Sequence, residues 1–82
     1  MEVSVEISMY PLGREYVPDI SNFIDRLRAH AGITCQVNNM STQVFGEYRK
    51  VMEAITREMD ASFTQDEKSV FVMKVINANL QQ

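Results

Sequence analysis

The 82-residue sequence has one cysteine, one histidine, no tryptophan and only two prolines. A lone thiol, Cys35, excludes an internal disulfide and any multi-thiolate metal site built from one chain. Among apolar neighbours it reads as a small hydrophobe, of the kind a reducing compartment tolerates. Any histidine-based catalysis would rest on His30 alone. No apolar run approaches the ~20 residues of a membrane-spanning helix. The N-terminal residues alternate apolar and polar side chains, unlike the apolar centre of a signal peptide, so the expected location is the cytoplasm. Positive charge is also scarce. Eight Lys and Arg stand against eleven Asp and Glu, for a net charge of -3. Nucleic-acid partners draw most of their affinity from Lys and Arg neutralising phosphates, and anionic membranes attract basic clusters, so neither is an expected partner.

What is present is an ordinary folding composition, 45% hydrophobic and 23% charged. The length predicts one domain, residues 1–82, with a modest core and enough uncovered surface that self-association is a natural way to add burial. Glu2 to Tyr10 alternates strictly. Val3, Val5, Ile7 and Met9 fall on one face, and Ser4, Glu6, Ser8 and Tyr10 on the other, which is a strand. Pro11 ends it and Leu12 to Glu15 is a loop. Pro18 suits a first helical turn; Ile20, Phe23, Ile24, Leu27 and Ala31 then form a helical stripe that Gly32 stops. Ile33 to Asn38 alternates again, Asn38-Asn39 supplies turn chemistry, and Thr42 to Phe45 completes a hairpin closed by Gly46. A second helical stripe, Tyr48, Val51, Met52, Ile55 and Met59, lies within a helix from Glu47 to about Ala61. Thr64 to Lys68 is a polar connection, Ser69 to Ile76 a last strand, and Asn77 to Gln82 a polar tail expected to fray.

The order β-α-β-β-α-β is the split βαβ, ferredoxin-like α+β pattern: a four-stranded antiparallel sheet with two helices on one face. The other face is left open. Val70-Phe71-Val72-Met73 is apolar on both sides, which a strand with one wet face should not be, and Phe45 adds to the same open face. A second copy packed sheet against sheet would cover it.

Few residues carry chemistry. His30 sits late in the first helix, where a surface role complementing the helix dipole suffices, and nothing in the spacing turns it toward Cys35. Glu6 is the exceptional carboxylate, on a strand beside Ser4 and Ser8, where it must find water, a partner or a ligand. It reads equally as a salt-bridged residue and as an acceptor for an amino-bearing or cationic ligand. Gly13-Arg14 is a weak phosphate loop without the surrounding signature of an acylphosphatase. No Cys-x-x-Cys marks a metal-transport domain. Val44 to Tyr48 faintly matches an RNA-recognition motif, which the acidic balance opposes. Asn38, Asn39, Ser41 and Thr42 gather neutral donors and acceptors beside Met40, which suits either turn chemistry or a flat heterocycle.

Two stretches add weight to the second option. Ser8-Met9-Tyr10-Pro11-Leu12-Gly13, and Met40-Ser41-Thr42 before a short strand ending at Gly46, together resemble the thiamine-binding domain family of YkoF-like and MTH1187-like proteins. The resemblance covers nearly the whole chain. Asn39 stands where the family often has proline, and Phe45 where a polar residue is common. The resemblance implies a ferredoxin-like fold, sheet-to-sheet association into dimers or tetramers, and binding of thiamine or its hydroxymethylpyrimidine half without turnover. By position it nominates Ser8, Tyr10, Met40, Ser41 and Thr42. Glu6 joins them as a partner for the ligand's amino group or thiazolium, and Met40 or Tyr10 would stack on the ring. The expected function is a non-catalytic vitamin B1 binder for salvage, storage or transport supply, with thiamine as ligand and no cofactor, metal or catalytic residue. The alternative is an oligomeric regulatory or scaffold domain that binds no thiamine and assembles through its open sheet face.

Overall fold

A computed structural model describes residues 1–12, 16–65 and 68–81, without the side chains of 16–18. The Gly13-Arg14 loop lies outside the described residues, as do the middle of the polar connection and Gln82. The elements run β1 (Glu2–Pro11), α1 (Tyr16–Arg28), β2 (Ile33–Val37), β3 (Thr42–Glu47), α2 (Tyr48–Gln65) and β4 (Ser69–Ile76). The strands form one sheet in the order β2-β3-β1-β4, every neighbouring pair antiparallel. This is the ferredoxin-like α+β architecture.

The strict alternation of β1 decides which face is covered. Val3, Val5 and Ile7 are fully buried, together with Val44 of β3, Phe23 and Leu27 of α1, and Val51, Ala54 and Ile55 of α2. Each fully buried Val, Leu, Ile or Phe is worth about 1.5–3 kcal/mol of apolar transfer. Phe71 of β4 extends this core. Its ring lies 4.9 Å from Phe23 and 5.5 Å from Phe63, the latter edge-on.

Several boundaries differ from the sequence pattern by a few residues, and three of them have a clear local reason. Helix α1 stops at Arg28 because Ala29 and His30 bond back to the carbonyls of Arg26 and Leu27, the tighter i→i−3 pattern, before Gly32 turns at φ 84°. Helix α2 runs on to Gln65 because its last turns have work to do: Phe63 packs on Phe71, and Ser62 is buried against α1. Glu47 is the last strand residue and caps α2, its carboxylate accepting from the Lys50 N–H at 3.1 Å.

The tail differs as well. Residues 77–81 were expected to fray, yet Ser4 Oγ donates to the Ala78 carbonyl at 2.7 Å and accepts from the Leu80 N–H at 2.8 Å. A buried polar group needs such partners, and the tail supplies them to Ser4 on the face that no helix covers.

The helices are also joined by a polar cluster. Glu58, buried on α2, accepts from Arg26 Nε at 2.9 Å and from His30 Nε2 at 2.5 Å, while Arg26 also donates to Ser62 Oγ at 2.7 Å. His30 is therefore a tether between helices rather than a free surface residue. Burial works to raise the Glu58 pKa, but hydrogen bonds from His30 and Arg26 and their charges outweigh it and hold the carboxyl below its ordinary value.

Two predictions follow from this packing. A Cβ at Gly46, where φ is 154°, would sit 3.1 Å from the Gly32 carbonyl oxygen and 3.2 Å from Val51 Cγ2. Gly46→Ala should cost roughly 1–3 kcal/mol in urea denaturation, the range for overpacking a tight core. Glu58→Gln should cost about 1–3 kcal/mol near neutral pH by leaving Arg26 and His30 short of an acceptor. Because the folded carboxyl titrates lower than the unfolded one, its contribution is present above the ordinary carboxylate pKa and is lost as pH falls through the lower folded value. The wild-type advantage over Glu58→Gln should therefore shrink on acidification, and an advantage that grew would contradict the pairing.

Candidate functional site

The site follows from a length mismatch. Strand β1 pairs with β3 only over Glu2–Ile7, but with β4 over Ser4–Pro11. Ser8, Met9 and Tyr10 thus have a strand on one side only. In an antiparallel ladder each residue sends its N–H and C=O to the same neighbour, and the direction alternates along the strand. The Leu12 N–H bonds the Lys68 carbonyl at 3.0 Å on the β4 side, and the Tyr48 N–H bonds the Met1 carbonyl at 2.9 Å on the β3 side. Even-numbered residues of β1 therefore bond β4, and odd-numbered ones bond β3. Met9 sends its backbone groups toward β3 at a level where β3 has already ended.

The β2–β3 hairpin turn stands at that level instead. The Asn38 N–H bonds the Ser41 carbonyl at 3.1 Å, and Asn38 Oδ1 accepts from the backbone N–H groups of Met40 at 2.7 Å and Ser41 at 3.0 Å. The turn was expected to exploit left-handed asparagine. It is held by this side-chain cap instead, and no described residue other than glycine has a positive φ. Between the turn, the overhang of β1 and the Ile20, Phe23 and Ile24 side of α1 lies a cleft of about 240 Å³.

Of the six residues nominated from sequence, Ser8, Tyr10, Met40, Ser41 and Thr42 all line this cleft. They do not all present themselves alike. Tyr10 and Met40 are exposed at the mouth, whereas Thr42 is 6% exposed on the inner wall, opposite Ile7 and Val37. Glu6 does not line the cleft and points onto the open sheet face, but Ser41 Oγ donates to Glu6 Oε2 at 3.0 Å and accepts from Gln43 Nε2 at 2.8 Å. Ser41 therefore links cleft and open face through one hydroxyl.

Lys74 is the neighbour that sequence reasoning missed. Its Nζ lies 3.0 Å from Glu6 Oε1, because Glu6 and Lys74 are directly opposed in the β1–β4 register. Alternation along β4 puts Lys74 on the open face, and the register pairs it with Glu6. The hydrogen bond from Lys74, then that from Ser41, then the Lys74 charge hold the Glu6 carboxyl below its ordinary pKa, against a smaller opposing effect of burial. Beyond this pair the open face forms a groove of about 510 Å³, polar at Glu6, Gln36, Gln43 and Lys74 and apolar at Phe45, Ile76 and Leu80.

The remaining candidates are placed elsewhere. Cys35 packs against the core from β2, where burial pushes its thiol up despite the nearby Arg28. His30 is turned to Glu58. Among the described residues no three His, Cys, Asp or Glu side chains cluster as metal ligands.

The fold has counterparts. The chain superposes on a protein of Streptococcus pneumoniae with a TM-score of 0.87 and 17% identity, covering 98% of this chain and 90% of the other. It superposes on a protein of Methanocaldococcus jannaschii with a TM-score of 0.81 and 17% identity, covering 99% and 84%. For a Thermotoga maritima protein described under thiamine biosynthesis and salvage, the TM-score is 0.80 at 18% identity, covering 92% and 82%. At such identities these likenesses establish the α+β fold alone. Among curated proteins none matches. The sequence model of the thiamine-binding protein family matches residues 5–79, and the chain belongs to that family.

The Glu6 network has a direct test. In Lys74→Gln the Glu6 carboxyl should titrate at higher pH, nearer its ordinary value, and in Ser41→Ala it should rise by less. Carbon-detected NMR titration of the side-chain carboxyl reads both, and an unmoved Glu6 in Lys74→Gln would refute the pairing.

Proposed function

We propose that this chain is a one-domain, non-catalytic binding protein for thiamine or its hydroxymethylpyrimidine half, serving salvage, storage or supply, and that the hairpin cleft is its ligand site. The supporting observation is the convergence of Ser8, Tyr10, Met40, Ser41 and Thr42 on one cleft, from two segments 30 residues apart in sequence. An aminopyrimidine presents an exocyclic donor and ring-nitrogen acceptors in one plane. The cleft answers with the hydroxyls of Ser8, Ser41 and Thr42 and the backbone groups of Met9. Met40 and Tyr10 supply soft and aromatic faces for the ring at the mouth.

At about 240 Å³ the cleft is smaller than the ~300–1,000 Å³ typical of sites that swallow a drug-sized ligand. One ring suits it better than two. The pyrimidine would enter and the cationic thiazolium would lie over the rim toward Glu6. Lys74, whose side chain is largely exposed, can yield its place there, because an exposed ion pair is weakly held. The acidic balance of the chain favours a cation.

We also read the chain as a cytoplasmic homo-oligomer, a dimer or tetramer joined through the open sheet face. Tyr10, Val70 and Val72 lie there in register, 45–55% exposed. The same strip favours the second reading, a scaffold or regulatory domain that assembles without thiamine.

Calorimetric titration separates the two readings. Thiamine should bind with micromolar affinity at about one site per chain, and hydroxymethylpyrimidine should retain much of that binding. Ser41→Ala should weaken binding about tenfold, the equivalent of ~1.4 kcal/mol, with unchanged assembly in sedimentation. No heat and no thermal stabilisation at millimolar thiamine would leave only the assembly reading.

A further inference from the structure

The open face is covered over Ser4 and Phe45 but not along the rest of its length. Residues 77–81 leave β4 and turn back over the end near Ser4, whose hydroxyl holds the segment on both sides, donating to the Ala78 carbonyl and accepting from the Leu80 N–H. Asn79 Nδ2 reaches Glu2 Oε1 at 3.1 Å, and Asn79 Oδ1 accepts from the Gln81 N–H at 2.9 Å. Ser4 and Phe45 are direct partners across β1 and β3 and point away from the helices, yet each is only 7% exposed. At the other end of the same face Tyr10, Val70 and Val72 remain in water. The Glu6–Lys74 pair stands between the two ends.

The attachment is slight for what it covers. It consists of three hydrogen bonds to β1, one of them at exposed groups, and Leu80 is itself mostly exposed although it lines the apolar end of the groove with Phe45 and Ile76. A segment with few buried contacts opens at low cost relative to global unfolding.

We propose that residues 77–81 are a strap that occupies the Ser4–Phe45 end of the open face and confines self-association to the Tyr10–Val70–Val72 end. This rests on the assembly reading above. The occupant held back is a second copy of this chain, because the face is self-complementary in charge. Two copies related by a two-fold axis bring Glu6 of one toward Lys74 of the other at the middle of the face, with apolar side chains on either side. When the strap lifts, Phe45 is uncovered beside Ile76, which is already half-exposed, and the contact between copies lengthens past the Glu6–Lys74 pair.

The test uses the full-length chain as wild type, Ser4→Ala and Val72→Lys, with amide hydrogen exchange at Leu80 and sedimentation across a concentration series. Ser4→Ala should abolish protection of the Leu80 amide and tighten self-association at least tenfold. Val72→Lys should weaken it at least tenfold with Leu80 still protected. A chain ending after Asn77 keeps every strand and helix and must show the same tightening as Ser4→Ala. If the shortened chain associates with wild-type affinity, the strap holds nothing back and the proposal falls while the assembly reading stands. If neither the wild type nor the shortened chain associates at millimolar concentration, the assembly reading fails and the strap proposal with it.

Discussion

Strand β1 is central in the sheet, and its two ladders are out of step. It meets β3 over its first six residues and β4 over its last eight. The cleft and the polar patch on the open face both depend on that offset. The overhang of Ser8 to Tyr10 leaves a backbone edge facing the hairpin turn and opens the cleft. The same offset opposes Glu6 to Gln43 on one side and to Lys74 on the other, building the polar patch at the middle of the open face. At the opposite end β4 passes Ser4 at Ile76, so the following residues are delivered to the Ser4 hydroxyl.

Two polar networks do different jobs in this frame. Glu58 is buried and receives donors from Arg26 and His30, so it joins the helices and would be costly to strip of its partners. Glu6 is half-exposed, its partners are a largely exposed lysine and a hydroxyl shared with Gln43, and its neighbours can be exchanged for a ligand at small cost. Only the second arrangement suits a binding site, because a site must give up its internal contacts when a ligand arrives.

Much of this was legible in the sequence. Period-two alternation in β1 separated Val3, Val5 and Ile7 from Ser4, Glu6 and Ser8, and the observed core follows it. Strand β4 matches its predicted span residue for residue because its apolar run is bounded by polar segments. The motif residues converge because one motif ends β1 and the other begins β3, and those strands are neighbours. Pairing was not legible. Nothing local tells Lys74 that it faces Glu6, or His30 that it faces Glu58, since both contacts are set by register and helix packing across long stretches of chain. The tail was misread for a related reason. A polar segment looks solvated until the hydroxyl that captures it, 74 residues earlier, is known to face the same way.

The most direct measurement is a map of backbone amide shifts on adding thiamine to the isotope-labelled protein. If the overhang of β1 and the hairpin turn form the ligand site, the largest changes fall on Met9, Tyr10 and Asn39 to Thr42, with a smaller response at Glu6. Changes centred on Gln36, Phe45 and Ile76, across the open face, would place the ligand elsewhere and contradict the central role given to the offset of β1.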